Sequence, residues 1–354
     1  NMLLGPVGKY ALVNAKVRAR LSALIPPEAI ARLADVRDLP EFYSMLGGTV
    51  YDKVLSRPEV SLDPRVAEKL LIEQEVQWHV ELIKDLRGPA QKLIELILEK
   101  YEIENLKAAL RIREGNRGVE DLKYIIRKEL PHSLPYQSIA EAKTIEDVLP
   151  YLISTPYLLP MKSVLDDYKQ RGTLFPIEIA LEIDFYKRLK ARVDALDRTD
   201  RRIAQRLLGL EIDLKNLGWL VRLKFYYGIP TGDLIDYNIP GGYRMTSMKL
   251  RQAFAADSVK DVLSVALEKS FKPIADLMRK EEDLSKLYVL EIILWSYLVS
   301  EAKKTLGGFP FTIGTILSYL ILKRTEIRNL ITILNGKLLD LEKADIESHL
   351  RMAF

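Results

Sequence analysis

Three carboxylates, each followed three residues later by an asparagine, are the groups in this 354-residue chain whose types and spacing could do chemistry: Glu102/Asn105, Asp213/Asn216 and Glu326/Asn329. An acid and an amide three apart share one stripe of a helix, so the amide can orient the carboxylate, and an oriented carboxylate is a candidate general base. The same pair can instead serve the framework, with both groups hydrogen-bonding the exposed backbone of a neighbouring helix end or loop. Repetition favours the framework. A catalytic centre needs its groups once and converging, whereas a device present three times belongs to the architecture. Each pair stands in the pattern acid, aliphatic, any residue, Asn, Leu: Glu102-Ile103-Glu104-Asn105-Leu106, Asp213-Leu214-Lys215-Asn216-Leu217 and Glu326-Ile327-Arg328-Asn329-Leu330. Four after the Asn an apolar residue continues the stripe (Ala109, Leu220, Ile333); six after it stands Arg111, Arg222 or, in the third copy, Asn335.

Other chemistries find no footing. The chain has no cysteine, which removes disulfides, thiolate metal sites and cysteine catalysis. Neither G-x-x-x-x-G-K-[ST] nor G-x-G-x-x-G occurs, and there is no G-x-S-x-G, so neither nucleotide hydrolysis nor serine hydrolysis by this chain is expected. His79, His132 and His349 are far apart and none begins a metal-ligand pattern, so they read as structural, and no cofactor or metal is expected. The densest charge runs through Lys187, Arg188, Lys190, Arg192, Arg198, Arg201, Arg202 and Arg206, with Asp194, Asp197 and Asp200 among them. That composition reads as a salt-laced, solvated helix face; its alternative use, in a helical-repeat binding module, is as a surface for RNA or an acidic protein partner, with Lys187, Arg188, Arg192, Arg201 and Arg202 as contacts. The net charge of +4 on so large a chain is a weak nucleic-acid signal, and the stacking aromatics of an RNA-binding sheet are missing.

The elements that must position these groups are helices. Tyr10, Val13, Val17, Leu21 and Leu24 form a helical stripe that stops at Pro26-Pro27, and Leu287 to Leu298 is apolar almost all round, as in a central helix. No sustained alternation suggests a strand, so the chain reads as all-α; Asn335-Gly336 reads as a helix C-cap. A second motif recurs with the first. Asp38, Thr144 and Ser258 are N-cap residues, each with an acid three later (Glu41, Asp147, Asp261) and an aromatic ring thirteen later (Tyr51, Tyr157, Phe271). A third echo, an aliphatic-Glu pair opening an apolar helix, lies between the two motifs: Ile72-Glu73, Ile177-Glu178 and Leu290-Glu291.

Three blocks in one order, three times, predict three copies of one helical unit. Proline and glycine cluster at 131–135 and 239–242, which sets the units at residues 1–133, 134–243 and 244–354. The longest uncharged run, between Lys304 and Lys323, is broken by Gly307, Gly308, Pro310 and Gly314, so it predicts a turn and a buried helix from about Thr312 rather than a membrane span. The first residues lack the pattern of a signal peptide, and a soluble or peripheral protein is expected.

The triplicated capped block, read in the second copy as Glu146-Asp147-Val148-Leu149 followed by Thr155-Pro156-Tyr157, and the later acid-x-x-Asn-Leu block resemble the C subunit of the archaeal A-type and bacterial V/A-type rotary ATPases, a relative of the d subunit of eukaryotic V-ATPases. The opening Tyr10-Ala11-Leu12-Val13-Asn14-Ala15-Lys16-Val17-Arg18-Ala19-Arg20 is similar to that family's first helix, and the resemblance covers nearly the whole chain. The third copy departs most, with Phe271 for Tyr, Lys269-Ser270 for Thr-Pro and Asn335 for Arg. The resemblance implies a non-catalytic rotor adaptor in which three pseudo-equivalent helical units form a funnel around a central cavity. That adaptor would sit on the cytoplasmic face of the membrane proteolipid ring and receive the D and F subunits of the central stalk, among the other ATPase subunits, during proton- or sodium-linked ATP synthesis or hydrolysis. No nucleic acid is implied.

Overall fold

The computed structural model describes residues 5–226, 238–258, 261, 264 and 287–351. Every regular element among the described residues is helical, so the protein is all-α. Its principal helices are α1 (Pro6–Leu21), α2 (Pro27–Ala34), α3 (Leu39–Met45), α4 (Arg65–Ile83), α5 (Gly88–Arg113), α6 (Phe175–Asp194), α7 (Arg198–Val221), α8 (Leu287–Leu306) and α9 (Ile313–Leu338). Proline stands in the first turn of α1, α2, α3 and α5, where its missing N–H has no intrahelical partner to lose. Three times two long helices follow one another, α4 and α5, α6 and α7, α8 and α9. The second of each two carries the acid and the Asn.

The residues group into two compact units, Tyr51–Arg192 and Asn1–Val50 with Val193–Phe354. In the first, α4 packs on α5, and α5 packs on the short helix Tyr136–Ala140. Val76, Leu98, Tyr101, Ile126 and Leu130 form one buried cluster there, so the irregular backbone after α5 is part of the core. In the other unit α8 and α9 pack together, α7 lies against both, and α1, α2 and α3 reach α9. Helix α9 is buried on nearly every side, with Lys323, Glu326 and Asn329 among its buried residues. Tyr10, Val13 and Val17 of α1 are almost fully buried, which is the stripe expected from their spacing.

The capped starts take three forms. The Asp38 carboxylate accepts from the Glu41 N–H at 2.9 Å, and Glu41 in turn accepts from the Arg37 N–H rather than from the cap's own. Thr144 and Asp147 make the reciprocal box: the Asp147 N–H donates to the Thr144 Oγ1 at 3.2 Å and the Thr144 N–H to the Asp147 carboxylate at 2.9 Å. This box opens a 3₁₀ turn, Glu146–Leu152, because Pro150 inside it has no N–H for an α turn. Ser258 accepts from the Asp261 N–H at 3.1 Å and donates its hydroxyl to that carboxylate at 2.6 Å. Tyr51 and Tyr157 are fully buried, and Phe271 lies outside the described residues.

One expectation is corrected. Helix α9 does not end at Asn335-Gly336 but runs to Leu338, and Asp340, in the left-handed region at φ 54°, turns the chain. Gly336 is inside the helix because a Cβ there would come within 2.6 Å of the Ile346 side chain packed on it.

Candidate functional site

The Asn of each pair holds irregular backbone that follows its helix, in the same way three times, while the three acids hold different groups. The Asn closes a two-point contact on one residue 21 to 23 positions later. Asn105 donates to the Ile126 carbonyl at 2.9 Å and accepts from the Ile126 N–H at 3.1 Å. Asn216 does the same with Ile239 at 2.9 Å in both directions, and Asn329 with Arg351 at 3.1 and 2.8 Å. A side-chain amide thereby stands in for the neighbouring strand that these loop segments lack.

The acids secure the connection between successive copies. Glu102, fully buried on α5, accepts from the His132 N–H at 2.9 Å, from the His132 Nδ1 at 2.6 Å and from the Tyr157 hydroxyl at 2.7 Å. His132 and Tyr157 thus tie the connection at 131–135, and the buried aromatic of the second motif, to a carboxylate of the first. Asp213, fully buried on α7, accepts from three consecutive backbone N–H groups, Tyr243 at 3.1 Å, Arg244 at 2.6 Å and Met245 at 3.1 Å. Such close approach needs glycine. A Cβ on Gly242 would lie 2.2 Å from the Asp213 Oδ1, and one on Gly209 would meet the Tyr243 backbone. Glu326 on α9 accepts from the Ile25 N–H at 2.5 Å, just before Pro26-Pro27, and from the buried Lys323 Nζ at 2.6 Å. The last copy therefore holds the first segment of the chain.

The Arg and Glu echoes complete this pattern. Arg111 of the first copy pairs with Glu178 of the second at 2.7 Å, and Arg222 of the second pairs with Glu291 of the third at 2.8 Å. Where the third copy has Asn335, the first copy's Glu73 accepts from the Arg127 N–H at 2.8 Å instead. Each half of these pairs is visible in the sequence, but their partnership is not.

Burial raises the Asp213 pKa from 3.8 to about 6; the three N–H donors and Arg244 pull the other way and lose. A carboxyl raised on folding adds stability that is fully present below 3.8 and is lost as pH rises through about 6. The stability difference between wild type and Asp213→Asn is therefore expected to be greater at pH 4 than at pH 7.5 by about 2 kcal/mol. Urea unfolding at the two pH values measures it; a difference independent of pH contradicts the assignment.

A fourth buried acid stands in the basic stretch, where its sequence context marks it only as a diluting charge. Asp200, 2% exposed, accepts from the Tyr10 hydroxyl at 2.6 Å, from Lys9 at 2.7 Å and from the Ile313 N–H at 2.9 Å, so it joins α1, α7 and the start of α9. Its place in the first turn after the Asp197 cap is the one signal that the sequence offers. The basic residues themselves divide. Arg188 is held by Glu99 at 2.5 Å and Asp184 at 2.7 Å, and Arg201 donates to the Leu196 carbonyl at 2.8 Å. Lys187, Arg192, Arg202 and, despite that contact, Arg201 are exposed. Lys187, Arg188 and Arg192 fall in one compact unit and Arg201 and Arg202 in the other.

Among the described residues no group of three His, Cys, Asp or Glu is placed to hold a metal ion, and no helix is long and apolar enough to cross a membrane. The family described as ATP synthase (C/AC39) subunit matches residues 13–349. Proteins named as the C subunit of the A-type ATP synthase are similar over nearly the whole chain. That of Methanocaldococcus jannaschii is 25% identical over 345 residues, 96% of this chain and 85% of that protein. That of Methanococcoides burtonii is 27% identical over 351 residues, 98% and 95% of the two chains. That of Thermococcus gammatolerans is 27% identical over 329 residues, 91% and 84%.

Proposed function

The chain belongs to the ATP synthase (C/AC39) subunit family, and from that premise we propose that it is the non-catalytic rotor subunit of an A-type or V-type ATPase. It sits as a peripheral component on the cytoplasmic face of the membrane and joins the D and F subunits of the central stalk to the proteolipid ring. Rotation driven by ATP, or by protons or sodium, passes through it from one to the other. Its three units, 1–133, 134–243 and 244–354, form a funnel whose cavity receives the stalk.

The observation that carries this reading is the set of joints. A body that transmits torque must not hinge where its repeats join, and buried carboxylates hold the backbone at His132, at Tyr243 to Met245 and at Ile25, which supports this reading. The burial of Glu102, Asp213 and Glu326 also supports a framework role over that of a general base, which needs access to a substrate. A module for RNA or an acidic protein partner is the competing reading; it loses Arg188 and Arg201 to internal contacts, and nothing specific favours it.

Capture of the tagged chain from gently solubilised membranes of its source cell tests the proposal. Catalytic head subunits, the D and F subunits and proteolipid are expected to come with it. Recovery of RNA or soluble proteins without any of them overturns it.

A further inference from the structure

The three equivalent acids meet three different counter-charges. Glu326 faces Lys323, whose class of side chain stays charged well above neutrality; Asp213 faces backbone N–H groups; Glu102 faces His132, whose class changes charge near neutrality. The His132 ring is partly exposed, with its side chain at 22%, so protons reach it, while Glu102 beneath it is sealed from solvent. We infer that the Glu102–His132–Tyr157 contact is a proton-responsive latch: it clamps the connection at 131–135 to α5 when His132 is protonated and slackens when the ring is neutral.

The groups around the ring favour the charged form on balance. From α5 come Glu102, at 2.6 Å, and the nearby charge of Glu99. From α6 comes Arg188, which is itself engaged by Glu99 and Asp184. Tyr157 sets its ring edge-on to the imidazole with centroids 5.4 Å apart and gives its hydroxyl to the same carboxylate oxygen. Tyr136, on the next short helix, lies near Glu102 as a neutral phenol held up by burial. The hydrogen bond to Glu102 accordingly raises the His132 pKa above 6.5, helped by the charges of Glu102 and Glu99 and opposed by burial and Arg188. A histidine raised on folding adds stability that is fully present below 6.5 and is lost as pH rises through the folded value. The latch therefore loosens as pH rises above 6.5.

Hydrogen exchange of the full chain tests this through the His132 amide, whose N–H donates to Glu102. Between pH 6 and pH 8.5, after correction for the intrinsic rate, its protection is expected to fall about tenfold or more, while that of the Ile25 amide at the third joint stays level. In His132→Gln, which keeps a neutral donor, the pH dependence disappears. Constant protection of the His132 amide in the wild type overturns the inference, as does an unchanged fall in the variant. A His132 resonance titrating at or below the ordinary value does the same and needs no variant to fold.

Discussion

Replacement of Glu326 by alanine is expected to cost the unit that contains it about 3–5 kcal/mol, the range for breaking a buried ion pair by removing one partner. Lys323 is 2% exposed and Glu326 is 6% exposed, with Nζ and carboxylate 2.6 Å apart. The variant takes one carboxylate from the buried Lys323 ammonium and the acceptor from the Ile25 N–H. A second substitution separates charge from shape. Glu326→Leu combined with Lys323→Met removes both charges and should recover most of the loss, because a well-packed apolar pair often equals a buried ion pair. The part that stays lost in the double variant is the hold on Ile25, worth about 1–3 kcal/mol. Calorimetric unfolding of the three proteins gives both numbers. A loss under about 1 kcal/mol for Glu326→Ala would show that the third joint does not hold the N-terminal segment.

Asp213→Ala is expected to destabilise by about 2–4 kcal/mol at neutral pH. It orphans the N–H groups of Arg244 and Met245 at once and leaves that of Tyr243 with the Gly209 carbonyl alone, at 3.2 Å. The loss is less than these orphans would suggest, because the same change removes a carboxylate whose own burial is unfavourable. Gly242→Ala should reproduce it without touching the acid, since the new Cβ would stand 2.2 Å from the Asp213 Oδ1 and force the carboxylate off its donors. The two changes strike one contact, so the double variant should lose far less than the sum. Full additivity in urea unfolding would mean that Gly242 and Asp213 act separately.

Much of this framework is legible in the residues. Helical spacing places the buried face of α1, and the start of α9 falls at Thr312, whose side chain caps it. The repeated acid-x-x-Asn-Leu block marks the joints, and its repetition distinguishes framework from catalysis. Spacing does not reveal the partner. Glu178 and Arg111 lie 67 residues apart, and Glu326 reaches back 301 residues to Ile25, distances over which no helical period carries information. Asp200 is hidden for the same reason: its three partners come from α1 and α9, far from it in the chain. Gly336 shows the opposite error. A local rule suggests a cap where Ile346, packing from a later helix, requires the glycine.

The joints also differ in how they couple to conditions. Protonation of His132 tightens the first, Asp213 titrates at about 6 in the second, and a lysine serves the third.

The most direct test of that function is ATP-driven ion uptake by vesicles carrying the assembled ATPase, prepared with and without this chain, with ATP hydrolysis monitored in the same samples. Omitting the chain is predicted to abolish uptake while the head continues to hydrolyse ATP, and adding the chain back to restore uptake. Full uptake in its absence would contradict the proposed coupling role.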